Sequence, residues 1–158
     1  LIHNGDPIMG VIYVPAKEEL YFALEGLGSY KLSINDEIED LDELISKSNK
    51  LPMNIERDNY VIVGSRSHMS KETEAFFEKK KHEYGEVDVM AVGSSLKFCM
   101  VAEGKADAYP RHAPTMEWDT GAGHAIAKFA GFSVKQYNSS DDLIYNKEDL
   151  LNPWFLVK

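Results

Sequence analysis

Charged and hydroxyl side chains cluster at four places where a predicted strand gives way to a loop or a helix. These places are Ser65–His68, Gly93–Lys97, Tyr109–Arg111 and Trp118–Thr120. Folds that alternate strands and helices place their ligands at such junctions, so these segments contain the candidate binding residues. At Gly93–Lys97, hydroxyl groups, free backbone N–H groups and a lysine stand at the opening of a predicted helix, an arrangement that attracts phosphate.

Two of these junctions also have a purely structural interpretation. Ser94 fits the N-cap position of the helix that follows it, with Lys97 as an ordinary solvated side chain, because serine is a common helix cap. Asp119 stands at another predicted helix start, where an aspartate is more often a cap than a metal ligand. Taken singly, neither motif separates ligand binding from helix capping.

The histidines and the single cysteine form no recognisable metal or nucleophile motif. His68, His112 and His124 lack the spacing of a zinc finger or an HExxH site, and His112 and His124 are predicted to be packed or surface side chains. Cys99 lies on a helical apolar stripe, where a cysteine behaves as a small buried hydrophobe. The sequence contains no Gly-x-Ser-x-Gly, Walker A or Gly-x-Gly-x-x-Gly motif.

The elements that must position these residues fall into three segments. Residues 1–34 predict an antiparallel β-meander with glycine-containing turns. Residues 35–58 begin with an acidic run and predict a connection that contains one short amphipathic helix at 41–45. Residues 59–158 alternate strands and helices, which predicts a C-terminal α/β domain.

Within the third segment, apolar spacing and caps define the elements. Ser70 as N-cap and Gly85 as terminator predict a helix to about Tyr84, and Gly131 closes a second long helix. The predicted strands are 60–63, 87–92 and 106–109, and the predicted helices are 70–84, 96–102 and 119–130.

Composition limits the classes of function. The 158 residues carry a net charge of −9, which opposes binding of nucleic acid or of an anionic membrane, although a local basic pocket stays possible. Apolar runs are far shorter than the roughly 18 residues that a membrane span needs. A lone cysteine cannot form an intrachain disulfide. We therefore expect a cytoplasmic protein, with peripheral attachment at the inner membrane as an open alternative.

The opening residues predict that more chain precedes them. A short apolar stub, an Asn4-Gly5 turn signal and a β-rich run look like a hairpin cut at its first strand. A processed N-terminus is the alternative. If sheet partners are missing, the meander has a bare strand edge, and self-association through that edge is expected.

Several stretches taken together resemble one known superfamily. They cover most of the chain: Asn4–Pro15, Ser65–His68, Gly93–Cys99, Val101–Arg111, Glu117–Ile126 and Leu151–Phe155. They are similar to the inositol monophosphatase superfamily and, within it, to the CysQ-type 3'(2'),5'-bisphosphate nucleotidases.

The resemblance implies an αβαβα layered sandwich, here an N-terminally truncated part of one. It also implies a magnesium-dependent, lithium-inhibited phosphatase of sulfur metabolism that removes the 3'-phosphate of adenosine 3',5'-bisphosphate to give AMP. By position, Asp119 is a Mg²⁺ ligand that also lies at the substrate. Further substrate contacts are His68, Ser94, Lys97 and Arg111.

The resemblance leaves the catalytic residues outside this chain. The family's other metal carboxylates and the residues that orient the attacking water are expected upstream of residue 1, so the chain alone is predicted to be inactive. Lys97 and Arg111 favour the nucleotidase over an inositol or sugar monophosphatase, because a monophosphate needs no second-phosphate site. A non-catalytic nucleotide-binding module is the alternative of another class.

Overall fold

The computed structural model describes residues 1–34, 37–64 and 70–158. His68 and the rest of the Ser65–His68 junction lie outside the described residues, so their predicted place at the site stays a prediction. No helix in the described ranges is long and apolar enough to span a bilayer.

The first half of the chain is built from antiparallel strands. The strands are β1 (Ile2–His3), β2 (Asp6–Pro7), β3 (Met9–Val14), β4 (Glu19–Leu24), β5 (Gly28–Ser33) and β6 (Asn49–Lys50). A small hairpin of β1 and β2 precedes a four-stranded sheet whose order is β3-β4-β5-β6. Asn4 and Gly5 both have positive φ at the hairpin turn, the conformation that a tight two-residue turn requires. The meander that the sequence predicts is therefore present.

Two helices frame the start of the second half. The predicted short helix is α1 (Leu41–Ser46), and Asp40 caps it by accepting from the backbone N–H of Glu43. Helix α2 (Lys71–Tyr84) begins after Ser70, whose hydroxyl accepts from Thr73 N, and ends at Gly85, as predicted.

The remaining chain forms two small sheets and two further helices. Its elements are β7 (Tyr60–Gly64), β8 (Val87–Ala91), α3 (Leu96–Ala102), β9 (Tyr109–Arg111), α4 (Glu117–Phe129), β10 (Val134–Gln136) and β11 (Phe155–Val157). Strands β7 and β8 pair in parallel, while β10, β11 and β9 form an antiparallel sheet in that order.

Helix α4 packs against the inner face of the first sheet because glycines remove the intervening side chains. A Cβ on Gly10 of β3 would lie 2.3 Å from the backbone oxygen of Ala122, and a Cβ on Gly123 would lie 2.6 Å from the Phe98 ring of α3. One buried core runs through both halves of the chain and contains residues such as Tyr21, Phe98 and Phe155. The core thus holds α3 and α4 at a fixed separation.

Two predicted boundaries are wrong, and both were displaced by long-range contacts. Helix α4 begins at Glu117 instead of Asp119, and the Glu117 carboxylate accepts from the backbone N–H groups of Asn146 and Lys147. The strand predicted at 106–109 lies instead at β9, because its ladder partner is β11 at the far end of the chain.

Candidate functional site

Four of the five predicted site residues meet in one cleft. Ser94, Lys97, Arg111 and Asp119 line a cavity of about 250 Å³. They come from the turn before α3, from α3 itself, from β9 and from the first turn of α4. Residues far apart in the sequence therefore converge on a single concave surface.

Lys97 and Arg111 give this cleft a positive charge. Burial, with a further contribution from Arg111, lowers the pKa of Lys97. Lys97 Nζ lies 5.7 Å from the centroid of the Tyr109 ring, and Arg111 donates to the carbonyl of Pro114 at 3.2 Å. Within the described ranges neither cation forms an ion pair, and Arg111 Nε is buried without a hydrogen-bond partner. Two neighbouring cations that form no ion pair with a carboxylate are a site that a dianion stabilises.

Ser94 does not cap α3, as the purely structural interpretation of its position would require. It has φ +51°, and α3 begins only at Leu96, with Ser95 in the N-cap position and no side-chain capping bond. The carbonyl of Ser94 accepts weakly from Lys97 Nζ at 3.4 Å. The capping interpretation of Ser94 is therefore wrong, and its exposed hydroxyl lines the cleft.

Asp119 combines both of the roles that its sequence position allowed. Its Oδ2 accepts from the backbone N–H of Met116 at 2.8 Å, which caps α4. Its side chain also lines the cleft, and its Oδ1 has no hydrogen-bond partner among the described residues. One oxygen is thus used in folding, and the other is available to a ligand.

The donor set does not by itself hold a metal ion. The described residues contain no cluster of three or more His, Cys, Asp or Glu side chains that could bind one. Mg²⁺ requires near-octahedral oxygen coordination and gives up water reluctantly, so the single free oxygen of Asp119 is insufficient.

A buried hydrogen-bond network supports the start of α4 from behind. The Thr120 hydroxyl accepts from Tyr145 Oη at 3.2 Å and from Asn152 Nδ2 at 3.0 Å. Tyr145 Oη also lies 3.0 Å from Nδ1 of His124, and burial lowers the pKa of that histidine to about 4. His124 is therefore a neutral side chain and takes the packed one of the two placements, packed or surface, that the sequence left open. It helps to fix the helix that carries Asp119.

A second buried cluster fixes the end of α3. The carboxylate of Glu103 is fully buried and accepts from Tyr21 Oη at 2.5 Å, Lys31 Nζ at 3.2 Å and Lys105 Nζ at 2.7 Å. Because Tyr21 and Lys31 belong to β4 and β5, Glu103 ties α3 to the first sheet.

The sequence interpretation missed residues beside the predicted ones. Tyr109 and Thr115 also line the cleft, and a smaller adjoining lobe of about 100 Å³ adds Thr73 and His112, whose Oγ1 and Nδ1 lie 2.9 Å apart. Tyr109 opens the Tyr109–Arg111 junction that the sequence singles out, and that position was the available signal. Nothing in the local sequence indicates that α2 reaches the same cleft.

Comparison with known proteins identifies the family. Residues 1–154 match the model of the inositol monophosphatase family. The chain belongs to the inositol monophosphatase family. It is 37% identical to the 3'(2'),5'-bisphosphate nucleotidase CysQ of Escherichia coli K12 and to that of Salmonella typhimurium, over 99% of its own length. The chain spans 57% of the length of these curated relatives.

Solved structures agree with the fold class that the sequence predicts. The crystal structure of CysQ from Bacteroides thetaiotaomicron is 54% identical, with a TM-score of 0.93 over 99% of this chain and 59% of that one. An inositol monophosphatase from Staphylococcus aureus, at 20% identity and a TM-score of 0.71 over 99% of this chain and 52% of that one, shares the fold. The α/β fold of this family and the resemblance to CysQ are thereby confirmed.

Proposed function

We propose that this chain forms the substrate-binding part of a phosphatase that acts on 3'(2'),5'-bisphosphorylated nucleotides. The substrate is adenosine 3',5'-bisphosphate, and the products are AMP and phosphate, which links the protein to sulfur assimilation. The convergence of Ser94, Lys97, Arg111 and Asp119 in one cleft carries the proposal. The relatives named as 3'(2'),5'-bisphosphate nucleotidases support it.

The charges of the cleft favour a substrate with two phosphates. Lys97 and Arg111 are two cations without carboxylate partners in the described ranges, while the protein as a whole is acidic. A guanidinium binds phosphate through paired hydrogen bonds, and an ammonium adds a point charge. One phosphate therefore contacts Lys97 and Arg111, and the reacting phosphate lies toward Asp119. His68 is proposed as a further contact.

Proteins of this family are metal-dependent, and Mg²⁺ is the metal that we propose. The free oxygen of Asp119 is the ligand that this chain contributes, and a carboxylate oxygen suits Mg²⁺. The remaining ligands are not among the described residues. The catalytic residues likewise have no candidate in the cleft, which contributes substrate contacts only.

The binding proposal is tested by calorimetry in metal-free buffer. The titrants are adenosine 3',5'-bisphosphate, AMP, inositol 1-phosphate and fructose 1,6-bisphosphate. We expect Lys97→Ala to weaken the binding of adenosine 3',5'-bisphosphate by about tenfold and the binding of AMP by less. The reason is that the bisphosphate loses a charge-assisted contact to its non-reacting phosphate. Lys17→Ala, an exposed lysine outside the cleft, is the control. Equal losses for both nucleotides, or a preference for inositol phosphate, would contradict the nucleotidase proposal.

A non-catalytic nucleotide-binding module is the second candidate, because the described residues lack a metal-binding cluster. Phosphate release at millimolar Mg²⁺ separates the two. We expect no turnover by this chain alone. A chimera joins this chain to the part of the E. coli relative that the chain does not cover. We expect this chimera to release phosphate, and we expect Asp119→Asn in it to abolish the release. A chimera that binds the nucleotide without turnover supports the module. Turnover by this chain alone that Asp119→Asn abolishes would show that further metal ligands lie within it.

We also propose a cytoplasmic location. Cys99, the single cysteine, is buried, and its burial raises the thiol pKa, so the fold neither uses nor requires a disulfide. Immunodetection of the endogenous protein in cytosolic and membrane fractions tests this, and recovery with the inner membrane would support peripheral attachment instead.

A further inference from the structure

A second, larger cleft shares no lining residue with the site described above. Its volume is about 450 Å³, within the range of about 300–1,000 Å³ that is typical of small-molecule sites. Helix α2, strand β10 and the turn after β10 form its walls, and none of the residues proposed to bind the bisphosphate lines it. The function proposed above leaves this cleft without a role.

The floor of this cleft is aromatic and rigid. Tyr60, Phe76 and Tyr137 line it, and all three pack at a small hydrophobic core beneath α2. The Tyr60 ring stacks on the Tyr84 ring with 4.3 Å between their centroids. The Tyr137 ring contacts the His112 ring edge to face, with 4.2 Å between centroids. Rings that are already held by neighbours lose little freedom when a flat ligand stacks on them.

The rim of the cleft is basic on an otherwise acidic protein. None of the described residues that line it is Asp or Glu. Four of them are lysines: Lys79, Lys80, Lys135 and Lys158. Glu83 pairs with Lys80 at 2.6 Å, and Asp142 pairs with Lys135 at 2.8 Å, but both carboxylates lie outside the lining. Lys79 is the most exposed of the paired lysines and lies 4.0 Å from Glu83. Asp141 lies beside the cleft as well, since its carboxylate accepts from the hydroxyl of Ser139 at 2.9 Å. Four lysines therefore stand beside three acidic side chains at this rim.

We infer that this cleft binds a nucleoside phosphate, with the base over the aromatic floor and the phosphates at the lysine rim. A flat heterocycle suits Tyr60 and Tyr137, since every base presents a π-face. A phosphate suits the rim, since Lys79, Lys80 and Lys135 all line the cleft. The net charge of −9 disfavours an extended polyanion, so the ligand is a mononucleotide and not a nucleic acid. The inference does not depend on the function proposed for the first cleft.

The test is a titration of the isotope-labelled chain with ADP, followed through its backbone amide signals. We expect saturable shifts at Tyr137–Ser140, which form the turn that lines the cleft. These shifts should persist in Lys97→Ala, whose substitution affects only the first cleft. Failure of the bisphosphate to bind the first cleft would leave these signals unaffected, so the two proposals can fail separately.

Two charge reversals on one helix provide a matched comparison. Lys79→Glu is expected to weaken ADP binding by about tenfold. Lys81→Glu changes the net charge equally, but Lys81 pairs with Glu78 and does not line the cleft, so an effect below about twofold is expected.

Four results would overturn the inference. The first is the absence of shifts at Tyr137–Ser140 up to millimolar ADP. The second is an equal weakening of ADP binding by Lys79→Glu and Lys81→Glu, which would indicate a general effect of net charge. The third is binding of inorganic phosphate as tight as that of ADP, which would exclude recognition of the base. The fourth is binding of a 12-nucleotide oligoadenylate more than tenfold tighter than ADP, which would indicate a nucleic-acid surface.

Discussion

Gly123 lies where α3 and α4 meet, and its replacement by alanine tests whether their separation sets the geometry of the site. The added Cβ would lie 2.6 Å from both Cγ and Cδ2 of Phe98. These atoms cannot move away easily, because the Phe98 ring is buried and packs against the Tyr109 and Phe155 rings at centroid distances of 5.4 and 5.6 Å. Lys97 is the neighbour of Phe98, so a displaced ring also displaces a site residue.

The magnitude follows from two opposing effects. Overpacking a core by a methyl group costs about 1–3 kcal/mol, whereas replacing an interior helical glycine by alanine gains about 1 kcal/mol. Gly121 is the matched control, because it lies in the same helix and its Cβ would meet the nearest atom at 3.6 Å, an ordinary contact. The gain in helix propensity cancels between the two variants. Gly123→Ala should therefore be about 1–3 kcal/mol less stable than Gly121→Ala.

Urea denaturation followed by circular dichroism gives the free energies of unfolding of both variants. Calorimetry with adenosine 3',5'-bisphosphate then shows whether Gly123→Ala binds more weakly, while Gly121→Ala is expected to bind as the parent chain does. Equal stabilities within 0.5 kcal/mol, which is about the error of such a comparison, would refute the argument that Phe98 cannot yield. A destabilised Gly123→Ala with unchanged affinity would show that the α3–α4 separation does not control the cleft.

Three further predictions concern stability and association. His124 is neutral in the folded state, because its pKa of about 4 lies below the value of about 6.5 in the unfolded chain. The free energy of unfolding is therefore highest above about pH 6.5 and declines as the pH falls toward 4. From pH 7 to pH 5 the loss is up to about 2 kcal/mol, and pH-dependent unfolding of His124→Gln should lack it; an unchanged slope would refute this. Glu103→Gln should cost about 3 kcal/mol in the same assay, because it removes one of the two carboxylates that pair with buried Lys31 and leaves only Glu19. Exposed Glu78→Gln should cost less than about 0.5 kcal/mol, and similar values for the two would contradict the argument. We propose that the chain self-associates through the edge strand β3, where Val11 is 52% exposed, and that Val11→Lys suppresses this. Sedimentation velocity measures it, and an unaltered distribution would exclude this edge.

The predictions that held depend on local physics. The cap at Ser70, the terminator at Gly85 and the apolar spacing between them define α2 without reference to the rest of the chain. The burial of Cys99 followed from its position on an apolar helical stripe. The Asn4-Gly5 turn needed positive φ at both residues, which those residue types tolerate.

The predictions that failed involve partners distant in the sequence. The first turn of α4 starts at Glu117 because Lys147 and its neighbour donate to that carboxylate, 30 residues away. The capping alternative for Ser94 is excluded by its positive φ, which no signal in the neighbouring sequence indicates. The strand at 109–111 exists because Phe155 and its neighbours pair with it.

The sequence by itself determined which side chains could bind a phosphate and, through its motifs, the family to which the chain belongs. The charge and the hydrogen-bonding groups of Lys97, Arg111 and Asp119 follow from their residue types alone. Helix caps and turns depend on neighbours within a few residues. The resemblance to the family also predicted that these three lie together at the substrate. Only the tertiary structure decided that Asp119 keeps one oxygen free and that a basic, aromatic cleft lies elsewhere. The reason is that cavities and charge clusters arise where distant segments pack, and that packing depends on contacts such as Gly123 against Phe98.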